Sequence, residues 1–343
     1  MKSDRTNRVS IINVLLIGLL LFCLTGCSMF SSVVEEDPSA EIDSDLVVVG
    51  FSQLGSESLW RTANTASIQR ALTKENGFFL VFNNARQKQE NQIKAIRSFI
   101  SQRVDYIVFS PVTEDGWETV LLEAKEAGIP VILADRMVNI EDESLYTTWV
   151  GTDMQEEGEK AGRWLEEYMQ AHQRTDEEDV NIVVLQGTPG ATSQIGRTIG
   201  FNTIADRHEN WNILEQVNGD FTTAKGKEVM QLLLKKYDNI DVVVSQNDDM
   251  TFGAIEAIQE ASRTVGVNGE ITMISFDAAH EALEMVDQGL INVDIECNPE
   301  QGDKIAEVIS KIEHGEEIEK AYVIEENVFT QKNVKEYLDT RTY

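Results

Sequence analysis

The 343-residue sequence predicts an α/β protein of two doubly wound, parallel-sheet lobes. Short apolar runs rich in β-branched residues recur along it, each followed by a stretch with apolar residues at three- and four-residue spacing. Such runs read as strands buried on both faces, and such spacing as one face of a helix. The alternation comes in two series of similar length, which implies two similar domains. Several runs also stop on polar groups. Pro130–Ala134 ends on Asp135-Arg136, Asp241–Gln246 on Asn247-Asp248, and Ile271–Phe276 on Asp277. In open α/β sheets ligands bind beyond the carboxyl ends of the strands, where strand order reverses. Carboxylates, guanidiniums and amides gathered there suit a ligand with many hydroxyls, although strand ends also need polar helix caps.

The first series begins at Leu46. Leu46–Ser52, Phe78–Phe82, Tyr106–Ser110 and Pro130–Ala134 are expected strands, and Leu59–Glu75, Gln89–Gln102 and Gly116–Ala127 expected helices. Gly77 and Gly128 stand just past helix ends, where a left-handed residue stops the helix. After Asp153 comes a long amphipathic stretch, Met154–Gln173, then a charged loop from Arg174. Strands are expected at Asn181–Gln186, Ile213–Val217, Val242–Ser245, Ile271–Phe276 and Ile291–Glu296. Helices are expected from Ser193, Thr223, Thr251 and Ala279, at Gln301–His314, and finally at Thr330–Leu338.

Residues 1–45 stand apart from this pattern. Lys2, Arg5 and Arg8 precede an apolar run from Ile11 to Leu24, then Leu24-Thr-Gly-Cys27. A basic n-region, a short apolar core and small residues before the cut form a secretory signal. The run is shorter than the roughly 20 residues of a membrane-spanning helix. The Cys after Leu-Thr-Gly resembles a bacterial lipobox, so residues 1–26 are expected to be a lipoprotein signal peptide and Cys27 the lipidated first residue. Residues 27–45 read as an acidic tether. A net charge of −30 argues against nucleic-acid partners, whose phosphates it would repel. With Cys23 in the leader and Cys27 lipidated, Cys297 is left without a disulfide partner, and it reads as a small buried hydrophobe.

No catalytic constellation emerges. Gly50-Phe-Ser-Gln-Leu-Gly-Ser-Glu57 is not a dinucleotide turn, and neither a phosphate loop nor a Gly-x-Ser-x-Gly elbow occurs. His172, His208, His280 and His314 show no metal-ligand spacing, and Asn247-Asp-Asp lacks the alternating oxygens of a calcium loop. The expected protein therefore binds and releases without chemistry, and needs no cofactor or metal.

Five segments resemble the type I periplasmic sugar-binding proteins of ABC importers. They are Gly55-Ser-Glu-Ser-Leu-Trp-Arg61, Gln87–Phe99, Asp135-Arg136, Gly219–Thr222 with Lys225–Met230, and Gln246–Met250. The similarity is closest to galactofuranose-binding members and more distant to ribose-binding ones, and it covers residues 46–343. It implies two Rossmann-like lobes joined by a three-strand hinge, with residues 46–151 and 298–322 in one lobe and 152–297 and 323–343 in the other. Hinges are implied near Thr152, Cys297 and Val323. Trp60 resembles the aromatic wall against a sugar's apolar face, with Arg61 beside it. Asp135 and Arg136 resemble the hydroxyl clamp of the first lobe, and Arg197, Phe221, Asn247 and Asp277 the contacts of the second. Mutating Asp135 or Asp277 is expected to leave folding nearly intact, as polar strand ends are not core. Trp117 suits the cleft or a helix cap equally, and contact by His280 or Cys297 is left open.

The family implies a monomer, anchored by lipid outside the cytoplasm, that closes on a galactofuranose-like monosaccharide and hands it to membrane permease subunits. An alternative is a sugar sensor presenting its closed form to a histidine kinase or chemoreceptor. A sugar-responsive repressor would need a basic helix-turn-helix where the leader and acidic tether lie, and a hydrolase would need an acid–base pair that is absent.

Overall fold

A computed structural model describes residues 46–172 and 178–343. The leader, Cys27 and the tether lie outside the described residues. Among those described, no helix is long and apolar enough to cross a membrane.

Two six-stranded sheets form the frame. The first contains β1 (Val47–Gln53), β2 (Phe78–Asn84), β3 (Tyr106–Phe109), β4 (Val131–Ala134), β5 (Thr148–Gly151) and β11 (Ala321–Val323), in the order β11-β5-β4-β3-β1-β2. The second contains β6 (Val180–Gln186), β7 (Trp211–Asn218), β8 (Val242–Ser245), β9 (Thr272–Asp277), β10 (Val293–Glu296) and β12 (Val328–Phe329), in the order β12-β10-β9-β8-β6-β7. All pairings are parallel except β10 with β12. Strand order reverses at β1/β3 in one sheet and at β6/β8 in the other, so both sheets have their topological switch point in the same place.

Helices cover both sheets. They are α1 (Leu59–Ala71), α2 (Gln89–Gln102), α3 (Glu118–Glu126), α4 (Met154–Ala171), α5 (Thr192–Ala205), α6 (Thr223–Lys236), α7 (Asp248–Glu260), α8 (His280–Asp287), α9 (Gly302–Glu313) and α10 (Lys335–Leu338). The β3 and β4 side chains are buried throughout, as expected of strands covered on both faces. Phe51, Phe109, Phe201 and Phe276 have under 2 % of their surface exposed, each contributing roughly 1.5–3 kcal/mol by leaving water.

The chain passes between the sheets three times. β5 is followed by α4 of the second sheet, β10 by α9, which packs on α1 of the first, and β11 by β12. Thr152 and Cys297 directly follow β5 and β10, while Val323 is the last residue of β11.

Some elements differ from expectation. β5, β11 and β12 were not anticipated. The first helix stops at Ala71, and a 3₁₀ turn at Lys74–Asn76 follows, closed by Gly77 in the left-handed region. The helix expected over Thr330–Leu338 is a turn followed by the four residues of α10. Helix α7 starts three residues earlier than Thr251, because the Asn247 side chain caps it.

Candidate functional site

The carboxyl ends of both sheets face one cavity of about 300 Å³, its open mouth included. Trp60, Arg61, Asp135, Arg136, Arg197, Phe221, Asn247 and Asp277 all line it. Cys297 lines it too, as do Glu57, Ser58, Met154 and Ser193, which sequence reasoning did not put in the site.

The first wall is a buried ion-pair network. Ser58 caps α1 by accepting from the Arg61 backbone N–H at 3.1 Å, which sets the first helical turn at the cavity. From there the Arg61 guanidinium reaches Asp135 Oδ2 at 2.7 Å, Glu57 Oε1 at 3.4 Å, Gln53 Oε1 at 3.3 Å and Ser110 Oγ at 3.4 Å. Burial alone would lower the Arg61 pKa, but the carboxylates of Asp135 and Glu57 outweigh it and the net shift is upward. Arg136 donates from Nη1 to the Val112 carbonyl at 2.8 Å, while its Nε is buried 3.9 Å from Asp135 Oδ2 with no hydrogen-bond partner. Burial and then the nearby Arg61 charge bring Arg136 down to about 10. The Arg136 Nε donor and the Glu57 Oε2 acceptor are both buried without a hydrogen-bond partner.

Arg197 organises the second wall. It donates from Nε to Glu157 Oε2 at 2.7 Å, from Nη2 to Asp277 Oδ1 at 3.1 Å, and from Nη1 to the Gln246 carbonyl. Helices α4 and α5 can place it there because they almost touch. A Cβ on Gly158 would lie 2.4 Å from the Arg197 carbonyl oxygen. Burial pushes the Asp277 carboxyl well up, against the opposing pull of the Arg197 charge. Asn247 Oδ1 accepts from the Met250 N–H at 3.0 Å, so it serves the helix cap as well as facing the cavity.

Asp135 (φ 62°), Phe221 (φ 58°) and Asp277 (φ 108°) occupy left-handed backbone regions. Such conformations cost about 1–3 kcal/mol each and gather at ligand sites. The Phe221 ring lies so close to Gly187 that a Cβ there would stand 1.7 Å from it. Trp60 donates from its indole nitrogen to the Cys297 carbonyl at 2.6 Å, tying the aromatic wall to the second crossing.

Three expectations change or resolve. Asp135 is 2 % exposed and is the shortest partner of a buried arginine, so its removal is expected to cost stability as well as a site residue. Trp117 is fully buried against Phe109 and donates to the Thr113 carbonyl, away from the cavity. His280 is exposed at the start of α8 and its N–H donates to the Tyr343 carbonyl, whereas Cys297 does line the cavity. Burial and then the Glu157 charge push the Cys297 thiol well up, which disfavours the thiolate a nucleophile requires.

The walls also touch directly. Leu59 N–H donates to Asp249 Oδ2 at 3.2 Å, Glu114 N–H to the Gly190 carbonyl at 3.0 Å, and Met137 N–H to Thr192 Oγ1 at 2.9 Å.

Residues 49–317 match the model of the periplasmic binding protein domain. The chain belongs to the type I periplasmic sugar-binding proteins of ABC importers, which work outside the cytoplasm. It is 38 % identical to the galactofuranose-binding protein YtfQ of Escherichia coli over 299 residues, 86 % of this chain and 91 % of that one. A Mycobacterium smegmatis structure in complex with β-D-fucofuranose is 43 % identical, with a TM-score of 0.82 over 86 % of this chain and 95 % of that one. The binding component of an arabinose ABC transporter from Shewanella sp. ANA-3, bound to α- and β-L-arabinofuranose, is 40 % identical at a TM-score of 0.80, with the same coverages. These relatives are sugar-binding proteins, not enzymes.

Proposed function

We propose that this chain is the solute-binding subunit of a carbohydrate ABC importer, that it takes a galactofuranose-like aldose in its furanose form, and that it closes on it. The observation that carries this reading is the pairing of every acid in the cavity with an arginine: Glu57 and Asp135 with Arg61, Asp277 with Arg197. A lining of opposed acids and guanidiniums holds an uncharged ligand by its hydroxyls, at roughly 1.5–3 kcal/mol for each bond to a charged partner. Trp60 and Phe221 offer flat apolar faces to its C–H side. The furanose ring form is supported by the sugars bound in the two solved relatives.

In this reading the eight expected residues, joined by Glu57, contact the sugar. Residues 46–151 with 298–322 move against residues 152–297 with 323–343, about hinges near Thr152, Cys297 and Val323. Neither wall alone satisfies the ligand, so the sugar stabilises the closed form by its differential affinity. The protein acts as a monomer, tethered by lipid on Cys27, and presents the closed form to the permease subunits.

Calorimetry and thermal shift with D-galactofuranose, L-arabinose and D-fucose test the proposal. A ligand at about 100 times its Kd adds roughly 2.7 kcal/mol of stability. Stabilisation by methyl pyranosides but not by furanose forms overturns the ring assignment, and no response to any sugar overturns the sugar reading.

A further inference from the structure

Beneath the cavity, and outside its lining, two acidic side chains meet where the three crossings converge. Glu157, in the first turn of α4, is fully buried. Its Oε1 accepts from Thr152 Oγ1 of the first crossing at 2.9 Å, and its Oε2 accepts from Arg197 Nε at 2.7 Å. Glu326 belongs to the third crossing, between β11 and β12, and its side chain is 3 % exposed. Oxygens of Glu157 and Glu326 and the Cys297 sulfur of the second crossing all lie within 4.8 Å of one another.

Two buried carboxylates at that distance need compensation. Arg197 on α5 is already shared among Glu157, Asp277 and the Gln246 carbonyl. Lys160 on α4 stands 3.7 Å from Glu326 Oε2, beyond hydrogen-bond length. Cys297 adds no positive charge, and Asp277, on the far side of Arg197, adds an acid. Glu326 Oε1 has no donor at all. A buried anion facing another anion with so little compensation keeps a proton instead.

We propose that Glu326 stays protonated and donates to the Glu157 carboxylate, and that this pair positions Arg197 against all three crossings. Burial and then the Glu157 charge push Glu326 up to about 10, in line with that geometry. One carboxylate then gathers Thr152, Glu326 and Arg197 together, next to Cys297. Neither glutamate touches the ligand, yet the orientation of the Arg197 fork depends on both. The effect on sugar affinity rests on the function proposed above; the shared proton does not.

The test uses the full chain and the variants Glu326→Gln, Glu326→Ala and Glu157→Gln. An acid whose pKa is raised by folding stabilises most below its unfolded value, and that contribution is lost as pH rises toward the folded one. The Tm of Glu326→Gln relative to wild type should therefore climb steadily between about pH 5 and pH 9. Parallel Tm curves for the two proteins overturn the proposal. So does a wild-type Tm raised by added zinc and lowered by a chelator, with that response lost in Glu326→Gln, for the three residues are then a metal site. With L-arabinose or D-galactofuranose as probe, Glu157→Gln and Glu326→Ala should lose about tenfold or more in affinity, or about 1.4 kcal/mol. Glu326→Gln, whose amide can still donate, should recover most of the alanine loss, and equal losses in the two Glu326 variants overturn the positioning role. If Glu157→Gln does not fold, the two Glu326 variants decide. A wild type that binds no sugar sinks the proposed function, while the Tm curves still judge the pair.

Discussion

Arg136 and Phe221 meet across the cavity, with the guanidinium carbon 5.6 Å from the ring centroid. The contact joins the turn after β4 to the turn after β7, and places a cation over an aromatic face. It forms only when the two sheets are this close.

Gly187→Ala should break that contact without breaking the fold. The new Cβ would sit 1.7 Å from Phe221 Cζ, so the ring has to move. Sugar affinity is expected to fall by about tenfold or more, against a stability loss of about 1–2 kcal/mol. Calorimetry and urea unfolding on the same preparation check it, and unchanged affinity would remove Phe221 from the site.

Asp135→Ala should cost both binding and folding. Ligand hydroxyls lose their acceptor, worth about 2–4 kcal/mol of affinity. Arg61 is left buried with its 2.7 Å partner gone, which costs about 3–5 kcal/mol of stability. Removing the arginine as well, in Arg61→Met/Asp135→Ala, should recover part of the stability and none of the affinity.

Asp249 gives a pH dependence. Burial raises its pKa from 3.8 to about 6, even though it accepts from the Leu59 N–H across the mouth of the cavity. An acid raised in this way favours the assembled form most strongly below its ordinary pKa, and that support is lost as pH rises through about 6. Asp249→Asn keeps the acceptor oxygen without the charge. Its stability relative to wild type should rise by about 1–3 kcal/mol between pH 4 and pH 7, then level off. A flat difference across that range would show that Asp249 stays hydrated.

Binding should compact the molecule. Small-angle scattering is expected to give a smaller radius of gyration with the bound sugar than without, because both walls are needed to satisfy it. The double variant Asn247→Ala/Asp277→Ala should lose the compaction even where weak binding persists. An unchanged radius at saturation, with binding confirmed independently, would place the site on one wall alone.

What could be read from sequence followed the physics of burial. β4, β8 and β9 are runs of β-branched and apolar residues that end abruptly, so the polar residues after them, Asp135, Asn247 and Asp277, stand out in the sequence. β5 is four residues, Thr148-Trp-Val-Gly, lying after an irregular stretch, and β11 is an exposed three-residue edge. Neither is long enough to show a period. β12 has only two residues and is held by pairing rather than propensity. Glu57 was hidden because acids beside a helix start are ordinary partners of its dipole. Glu157 was hidden for the same reason, and only its complete burial beside Arg197 distinguishes it.

The passage of the chain three times between the sheets also governs how the molecule can be assembled. β5 pairs with β11, with Trp149 opposite Ala321, so the edge strand of the first sheet is added only when almost the entire polypeptide is present. Contacts that span so much sequence are slow to form, and an unpaired strand edge invites pairing with another molecule in the interval. The last short strands, β11 and β12, thus tie the carboxyl-terminal end of the chain to the outer edges of both sheets.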